Sequence, residues 1–491
     1  MNGLQKEMAK FIGLYAICII TTYLLPNFVS QAYFLLLLFL FYRSKENYFW
    51  LAFFLFLVDP PGGLFPLDDY NYGLAMYNFL PGTGRLIYFQ ELFIFIALFK
   101  ALKAGIRPRL VFKNPLILLG VYLILLLLAS FLFGMTPFRM LSSIRNIIPW
   151  SLLFSILVLM PTHEDWLRFF RILFILLVIS VATQIMSILI SRSPAVLLGI
   201  DFQPVMDYGP REYSNLAADP AQLRPISSPH VSLIALMGAM FYILYRGKTF
   251  NKTWLFIVIY LALFSILVTA TRGWIIAYSL MMILFMIVGG RNMKRFTQFT
   301  VIMLVVSNII LLSPRIRNHL KSSILRVETV EEVTKGDLTA GGTDARLEKY
   351  SPIVMAKFYE SPIIGWGFSN EYADYTNGHV GNQAILLNVG SLGFLLFVFF
   401  WFSICRVPIS TSYHLPPGNP FKNSLFVIPI IFLGYFIIHS SSGQLFQYAV
   451  GFQYQGVSQM IFYAFASFYI IAAKDFSVLN KTDNITSGYF K

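Results

Sequence analysis

The chain has 491 residues, of which 57% are hydrophobic and only 12% are charged. Soluble domains carry about 25% charged residues, so this composition excludes an ordinary soluble protein. The formal net charge of +14 does not indicate nucleic-acid binding, because the basic residues lie in short connections between apolar runs. The cysteines Cys18 and Cys405 fall in apolar spans and imply no disulfide framework.

Apolar runs near the length that crosses a bilayer recur along the whole chain. The sequence therefore predicts an all-α polytopic membrane protein, a single transmembrane domain over residues 1–491 with about 14 spans (12–14). The first run is expected to be retained as a helix, because no small-residue cleavage site follows it. The predicted spans centre near residues 17, 35, 53, 94, 124, 154, 179, 237, 261, 281, 305, 394, 431 and 462.

A long polar stretch, residues 314–383, interrupts this pattern between the eleventh and twelfth predicted spans. We expect it to form a large extracytoplasmic loop, whereas residues 475–491 read as a short disordered cytoplasmic tail. A transporter has little need of a large charged loop on one side of the bilayer. An enzyme that acts on a lipid-linked substrate at the membrane surface does need one.

The distribution of lysine and arginine predicts the orientation of the spans. With both termini in the cytoplasm, the inside connections and termini hold 22 of the 37 basic residues, against 7 in the short outside connections. Cytoplasmic connections carry this excess in membrane proteins. The outside residues comprise 11 Arg and 4 Lys, whereas the inside ones comprise 9 Arg and 13 Lys. Because arginine suits bidentate recognition of phosphate or carboxylate, the outer face is expected to bind an anion, with chance in a small sample as the alternative.

Arg224 is the first candidate for that contact. It lies in the segment 222–230, just before a predicted span, and Ser227, Ser228 and His230 continue the polar run into the helix entrance. This polar run indicates a wet cleft at the outer face. An arginine that reaches to the lipid headgroups is the alternative interpretation.

Arg272 is the second candidate, in a very tight turn, 269–274, between two predicted spans. Gly273 beside it permits close approach of the backbone. An arginine in so short an outside turn is disfavoured for topology, so we expect a buried ion pair or an anion contact.

His379 stands at the end of the long loop. Its imidazole titrates near neutrality and suits proton transfer from a sugar hydroxyl. A lone histidine is usually not catalytic, but Arg224 and Arg272 on the same predicted face favour a functional role.

Arg346 opens a stretch, 347–359, with apolar residues at helical spacing, which Ser361-Pro362 is expected to end. Gly365-Trp-Gly367 then predicts a tight turn. The stretch is expected to lie across the mouth of the protein as an amphipathic lid, with a structural ion pair as the alternative role for Arg346. The sequence contains no P-loop, no His or Cys pair at metal spacing and no outside Asp-x-Asp, so we predict neither a metal nor a cofactor.

Three blocks of the sequence resemble the O-antigen polymerase/ligase family, the Wzy and WaaL group, over roughly residues 220–400. The first is 224–229, an arginine before a proline-containing helix start, and the second is 271–277, similar to the family's Ser-Arg-Gly pattern. The third combines Arg346, the Pro-x-x-Gly-x-Gly motif of 361–367, His379 and the glycine-containing helix at 387–393. The family has Asn or Ser directly after the histidine, whereas Val380 stands here and Asn382 follows.

The resemblance implies a metal-independent, GT-C-like glycosyltransferase whose donor is a glycan on undecaprenyl diphosphate. It implies that Arg224 and Arg272 hold the diphosphate and stabilise the leaving group. It also implies that His379 orients or deprotonates the acceptor hydroxyl and that Arg346 positions the loop or the sugar. His230 and Asn382 are further predicted substrate contacts.

Three functions remain open at this point. The first is a polymerase of O-antigen, capsule or exopolysaccharide repeat units in a bacterial inner membrane, with a growing glycan as acceptor and a chain-length regulator as an expected partner. The second is a ligase or related oligosaccharyltransferase that uses the same donor. The third, a flippase or transporter of lipid-linked sugars, needs polar residues along mid-membrane, where the predicted spans offer mainly Glu91 and Gln184.

Overall fold

The computed structural model describes most of the chain and is mainly helical in the part that it describes. The described residues are 3–58, 89–137, 140, 143, 147–190, 229–247, 249–269, 271–290, 313–318, 320, 349–377, 380–442 and 454–481. Within these ranges no residue lies in a β-strand.

The described helices follow the apolar runs of the sequence. They are α1 (Gly3–Tyr23), α2 (Asn27–Arg43), α3 (Asn47–Val58), α4 (Phe89–Lys103), α5 (Lys113–Ala129), α6 (Ser151–Leu159), α7 (His163–Ile190), α8 (Pro229–Leu244), α9 (Lys252–Val268), α10 (Arg272–Gly289), α11 (Ser351–Glu360), α12 (Asn370–Tyr375), α13 (Gly381–His414), α14 (Val427–Ser442) and α15 (Tyr454–Lys481). Single 3₁₀ turns at Ile148–Trp150 and Ser424–Phe426 lead into α6 and α14.

Three stretches are long and apolar enough to cross a membrane, namely His163–Ile190, Gly381–His414 and Gly456–Phe476. Shorter apolar helices accompany them, and every predicted span centre except that at residue 305 falls within a helix. Residue 305 lies outside the described residues. The chain is therefore an all-α protein with membrane-helix character. Its last helix continues to Lys481, further than the sequence predicted, because Phe476 still packs on Phe421 at 6.3 Å between ring centroids.

The contacts between helices divide the bundle into two ends. We call the end that holds the start of α1 and the end of α15 the terminal end, and the opposite end, which holds residues 349–377, the loop end. Bonds at the terminal end include Lys10–Glu46 at 2.6 Å, Lys100–Asn47 at 2.7 Å, His163–Tyr469 at 3.0 Å, Asn419–Ala473 at 3.0 Å and the Arg109–Asp475 ion pair. Bonds at the loop end include Ser458–His230 at 2.7 Å, Asn382–Ser440 at 2.8 Å and Ser130–Phe368 at 2.7 Å. Each pair joins helix ends that the predicted alternation of spans places on the same side.

Aromatic side chains fill the core beneath the terminal end. Trp166 is fully buried between Phe170 and Phe465, with ring centroids 6.3 and 5.5 Å away. Tyr242 and Tyr469 share a hydrogen bond of 2.6 Å nearby. Such buried rings bring large contact areas to the interfaces of α7, α8 and α15, which fixes how these helices pack.

Helix α13 is broken at Gly390, which has φ 65° and ψ −178°. A glycine accepts this conformation because it has no Cβ, and the break interrupts the i to i−4 hydrogen bonds around it. The carbonyl groups before the break and the N–H groups after it therefore need partners from elsewhere in the protein.

The segment 361–367 supplies those partners. Trp366 N–H donates to the Leu387 carbonyl at 2.9 Å and Gly367 N–H to the Asn388 carbonyl at 2.8 Å. Ser391 N–H and Leu392 N–H donate to the carbonyls of Pro362 and Ile363 at 2.8 and 3.1 Å. We call residues 361–367 and 387–392 together the clasp. The predicted end of the preceding helix at Ser361-Pro362 and the tight turn at Gly365–Gly367 are both confirmed, with φ values of 68° and 57° at the two glycines.

The clasp is also tied to α5. Tyr122 donates its hydroxyl proton to the Val389 carbonyl at 2.6 Å, and Ser130 Oγ accepts from Phe368 N–H at 2.7 Å. The Asn388 side chain, fully buried, donates to the Gly367 carbonyl at 2.5 Å. The broken helix, the loop segment and α5 thus form one bonded unit at the loop end.

Candidate functional site at the loop end

The sequence analysis singled out three arginines and one histidine for the reaction, and the structure describes only one of them, in part. Arg224, Arg346 and His379 lie outside the described residues. Arg272 begins α10, but the structure describes only its backbone. His230 and Asn382 are described in full, and they locate the site through the helices that carry them.

The turn that carries Arg272 is as tight as the sequence predicts. Helix α9 ends at Val268 and α10 begins at Arg272. Thr269 is fully buried and donates its hydroxyl proton to the Ile266 carbonyl at 2.7 Å, which caps the end of α9. Arg272 therefore stands at the N-terminus of a helix, where the free N–H groups and the helix dipole favour negative charge.

His230 is the second residue of α8 and is only 2% exposed. Its Nδ1 shares a hydrogen bond of 2.7 Å with Ser458 Oγ in the first turns of α15. Two residues further along α8, Ser232 bonds the Tyr278 hydroxyl of α10 at 2.9 Å. The predicted polar helix entrance is thus buried between helices and joins α8 to α15 and α10.

Asn382 lies in the first turn of α13 and donates its amide proton to Ser440 Oγ of α14 at 2.8 Å. The Ser440 hydroxyl in turn donates a hydrogen bond to the Phe436 carbonyl at 2.9 Å. The Asn382 Oδ1 is buried and accepts no hydrogen bond from the residues that the structure describes. A buried carbonyl oxygen without a donor costs about 1–3 kcal/mol, so this atom is suited to accept a hydrogen bond from a ligand hydroxyl.

His439 adjoins this pair and escaped the sequence analysis. It is 1% exposed in the last turns of α14, directly before Ser440, and α14 packs against α13. A histidine followed by three serines and a glycine at the end of an apolar span is the signal that could have identified it, because ionisable residues within spans mark functional sites by default.

Helix packing brings these elements together. α14 packs against α10, α13 and α8, and α8 also contacts α15 and α10. The helix starts at Pro229, Arg272 and Gly381 therefore meet at the loop end around the end of α14. These are the starts that follow Arg224, carry Arg272 and follow His379. The structure thus brings together the elements that bear the predicted residues, although it does not describe those side chains.

A second polar cluster holds the described part of the long loop together. Lys357 on α11 bonds Glu360 and Glu371, each at 2.8 Å, and its ammonium lies over the Trp366 ring at 4.1 Å. Its side chain is 11% exposed. The hydrogen bonds to Glu360 and then Glu371 raise the pKa of Lys357, so it remains charged and links α11, α12 and the clasp.

Among the described residues, no three His, Cys, Asp or Glu side chains lie close enough to hold a metal ion. The described residues therefore offer no candidate metal site. Comparisons with known proteins add no assignment either, since no family model and no curated protein matches the chain.

Proposed function

We propose that this protein is a polymerase of lipid-linked oligosaccharide repeat units. In this proposal it is a GT-C-like protein of about 14 spans in a bacterial inner membrane. It transfers glycan from undecaprenyl diphosphate to a growing chain at the outer face. The bond between the anomeric carbon of the glycan and the diphosphate breaks as the new glycosidic bond forms, and undecaprenyl diphosphate leaves. This activated bond drives the transfer, so neither ATP nor a metal is needed.

The observation that carries the proposal is the clasp. The two motifs that most resemble the O-antigen polymerase/ligase family, 361–367 and 387–393, bond backbone to backbone. They do so at the same end of the bundle as the starts of α8, α10 and α13. Residues of a shared site are expected to come together in this way, whereas unrelated motif matches have no reason to interlock.

The chemistry follows from the groups at this end. Arg224 and Arg272 bind the diphosphate and stabilise the charge that develops on the leaving group, aided at Arg272 by the N-terminus of α10. His379 accepts the proton of the acceptor hydroxyl, and Arg346 positions the loop or the sugar. The buried Oδ1 of Asn382 accepts a hydrogen bond from a sugar hydroxyl. His230 holds the start of α8 against α15 through its hydrogen bond with Ser458.

The charge distribution supports the orientation. Four described basic side chains lie at the loop end, namely Arg315, Arg317, Lys349 and Lys357. The terminal end holds the others, namely Lys6, Lys10, Arg43, Lys45, Lys100, Lys103, Arg107, Arg109, Lys113, Arg168, Arg171, Arg246, Lys252, Arg406, Lys422 and Lys474. By the positive-inside rule, the terminal end and both termini face the cytoplasm.

A flippase is less well supported. Gln184, one of the two polar residues noted in the spans, donates to the Ser265 carbonyl at 3.2 Å and so joins α7 to α9. Glu91 is buried in the first described turn of α4. The position of Gln184 suits helix packing better than a path across the membrane.

The experiment is transfer in vitro by the purified protein without added metal. Lipid-diphosphate-linked repeat units are extracted from producing cells that lack this protein, and the products are separated on a gel. Wild type is compared with Arg272→Ala, His379→Ala and Arg317→Ala, the last being an exposed arginine at the same end with no predicted role. We expect a ladder from wild type and Arg317→Ala and none from the other two.

Other outcomes assign the alternatives. Product that forms only after a separate lipid or protein acceptor is added indicates a ligase. Movement of the lipid-linked unit across vesicles without any glycosidic product indicates a flippase. A ladder that survives both Arg272→Ala and His379→Ala removes these residues from the proposed site.

A further inference from the structure

The clasp presents two isoleucines at its surface. Ile363 is 68% exposed and Ile364 is 39% exposed. We call this pair the clasp tip. The adjacent outward face of α13 is also apolar, with Leu392 at 46% and Leu395 at 63% exposure. The tip is therefore continuous with a surface that faces lipid.

The length of α13 places the break of this helix within the membrane. The helix has 34 residues, or about 51 Å, whereas the hydrocarbon core of a bilayer is about 30 Å thick. The exposed Arg406 marks the edge of the core on the terminal side. A core of about 20 residues then reaches back to about residue 386, which lies beyond Gly390.

Helix α5 gives the same depth independently. Gly367 packs against the Leu126 carbonyl and Ser130 Oγ of this helix. Exposed apolar residues continue in the turn that follows α5, with Phe131 at 47% and Leu132 at 87% exposure. The clasp thus does not stand above the apolar surface of the bundle but lies within its height.

The bonding of the clasp is what such a depth requires. Non-helical backbone survives in a membrane only where protein satisfies its polar groups. Four backbone hydrogen bonds join 361–367 to α13. Ser361 Oγ and Asn388 donate to the carbonyls of Gly365 and Gly367, at 2.8 and 2.5 Å. Within 361–367 the exposed residues are Pro362, Ile363 and Ile364, and all three are apolar.

We propose that residues 361–367 form a re-entrant segment, and that Ile363 and Ile364 contact the acyl chains of the leaflet at the loop end. The long loop is then anchored in the membrane by its clasp. Its helix α11 lies at the membrane surface instead of closing over the mouth as the lid that the sequence suggested. This inference needs only a chain that spans a membrane and does not depend on glycan transfer.

Spin-label accessibility tests the depth. Single cysteines are introduced as Ile363→Cys, Leu395→Cys and Asp374→Cys in a Cys18→Ala, Cys405→Ser background. The full-length proteins are labelled and reconstituted into vesicles of phosphatidylethanolamine and phosphatidylglycerol. Collisions with oxygen, which concentrates in lipid, are compared with collisions with a water-soluble nickel chelate. Leu395 is the lipid reference, and the exposed Asp374 on α12 is the water reference.

We expect the label at 363 to match that at 395, with oxygen strongly favoured over nickel, and the label at 374 to show the reverse. A label at 363 that matches 374 overturns the inference. Ile364→Cys serves as an independent second site: it should react with a lipid-soluble maleimide at least tenfold faster than with a charged one. Equal reactivity with both reagents would contradict the proposal even if the variant at 363 failed to fold.

Discussion

Replacing Gly390 with alanine tests whether the broken helix and its loop stabilise each other. The residue has φ 65° and ψ −178°, a region that is essentially restricted to glycine. A Cβ added there would also collide with the Ile363 carbonyl and the Gly365 nitrogen. Alanine favours a continuous helix at this position by about 1 kcal/mol, so the substitution works against the break in two ways.

The size of the effect follows from the two ways in which the protein can respond. Retaining the clasp costs about 1–3 kcal/mol in backbone strain, before the collision is relieved. Opening the clasp gives up four backbone hydrogen bonds, each with a net value of roughly 0.5–1.5 kcal/mol. The less costly response sets the loss in the free energy of unfolding, which we expect to be roughly 2–3 kcal/mol. In a chain of 491 residues this corresponds to about 2–3 °C in the unfolding temperature.

The assay is thermal unfolding in detergent, followed by size-exclusion chromatography of the fluorescent-tagged protein. Gly120→Ala is the matched control, because Gly120 lies inside helix α5 and a Cβ there meets nothing within 4 Å. We expect Gly120→Ala to unfold at the wild-type temperature or slightly above it. Equal unfolding temperatures for Gly390→Ala and Gly120→Ala would refute the reasoning, because the clasp would then contribute nothing to stability.

Three further predictions follow from described contacts. Ser130→Ala leaves the buried backbone N–H of Phe368, directly after 361–367, without its acceptor. It should lower the free energy of unfolding by about 1–3 kcal/mol, measured by thermal unfolding. Ser403→Ala, whose hydroxyl bonds its own helix, should change the unfolding temperature little. Lys357→Gln should destabilise the protein at neutral pH, because it removes the ion pairs of Lys357 with Glu360 and Glu371. These contacts raise the pKa of Lys357, so the stability that they contribute is present at neutral pH and is lost as the pH rises through the raised pKa. The wild type should therefore keep its higher unfolding temperature except in strong alkali. Asn382→Ala should lower kcat of the proposed transfer about tenfold or more while the unfolding temperature stays within a few degrees; an unchanged kcat would exclude Asn382 Oδ1 from the site.

The helices could be predicted from the sequence because hydrocarbon leaves the backbone little choice. An apolar run in a membrane must satisfy its own N–H and C=O groups, so its position predicts a helix directly. The end of α11 could also be predicted from neighbouring residues, because Pro362 disfavours a helical conformation at Ser361. The turn before Arg272 was evident from its brevity between two apolar runs.

The clasp could not be predicted, because it depends on a pairing between distant segments. Positive φ values were foreseeable at Gly365 and Gly367 from the glycine pattern. The hydrogen bonds between this segment and the break at Gly390 were not foreseeable, because one unbroken apolar helix satisfies the same sequence pattern. His439 was missed for a related reason, because its place beside the start of α13 is evident only once α13 and α14 pack side by side.

The clasp and the proposed site can be separated experimentally, although they share helix α13. The first half of this helix follows His379 and carries Asn382, and the clasp fixes that half against α5 and the loop. A catalytic group next to a long loop needs such support, because a displacement of about 1 Å is enough to impair catalysis. Variants of the clasp should therefore lose activity and stability together. Arg272→Ala should lose activity alone, because an arginine that binds the diphosphate acts on the substrate and not on the fold. If Arg272→Ala instead destabilises the protein as much as Gly390→Ala does, Arg272 is part of the scaffold, and the anion at the start of α10 must be sought elsewhere.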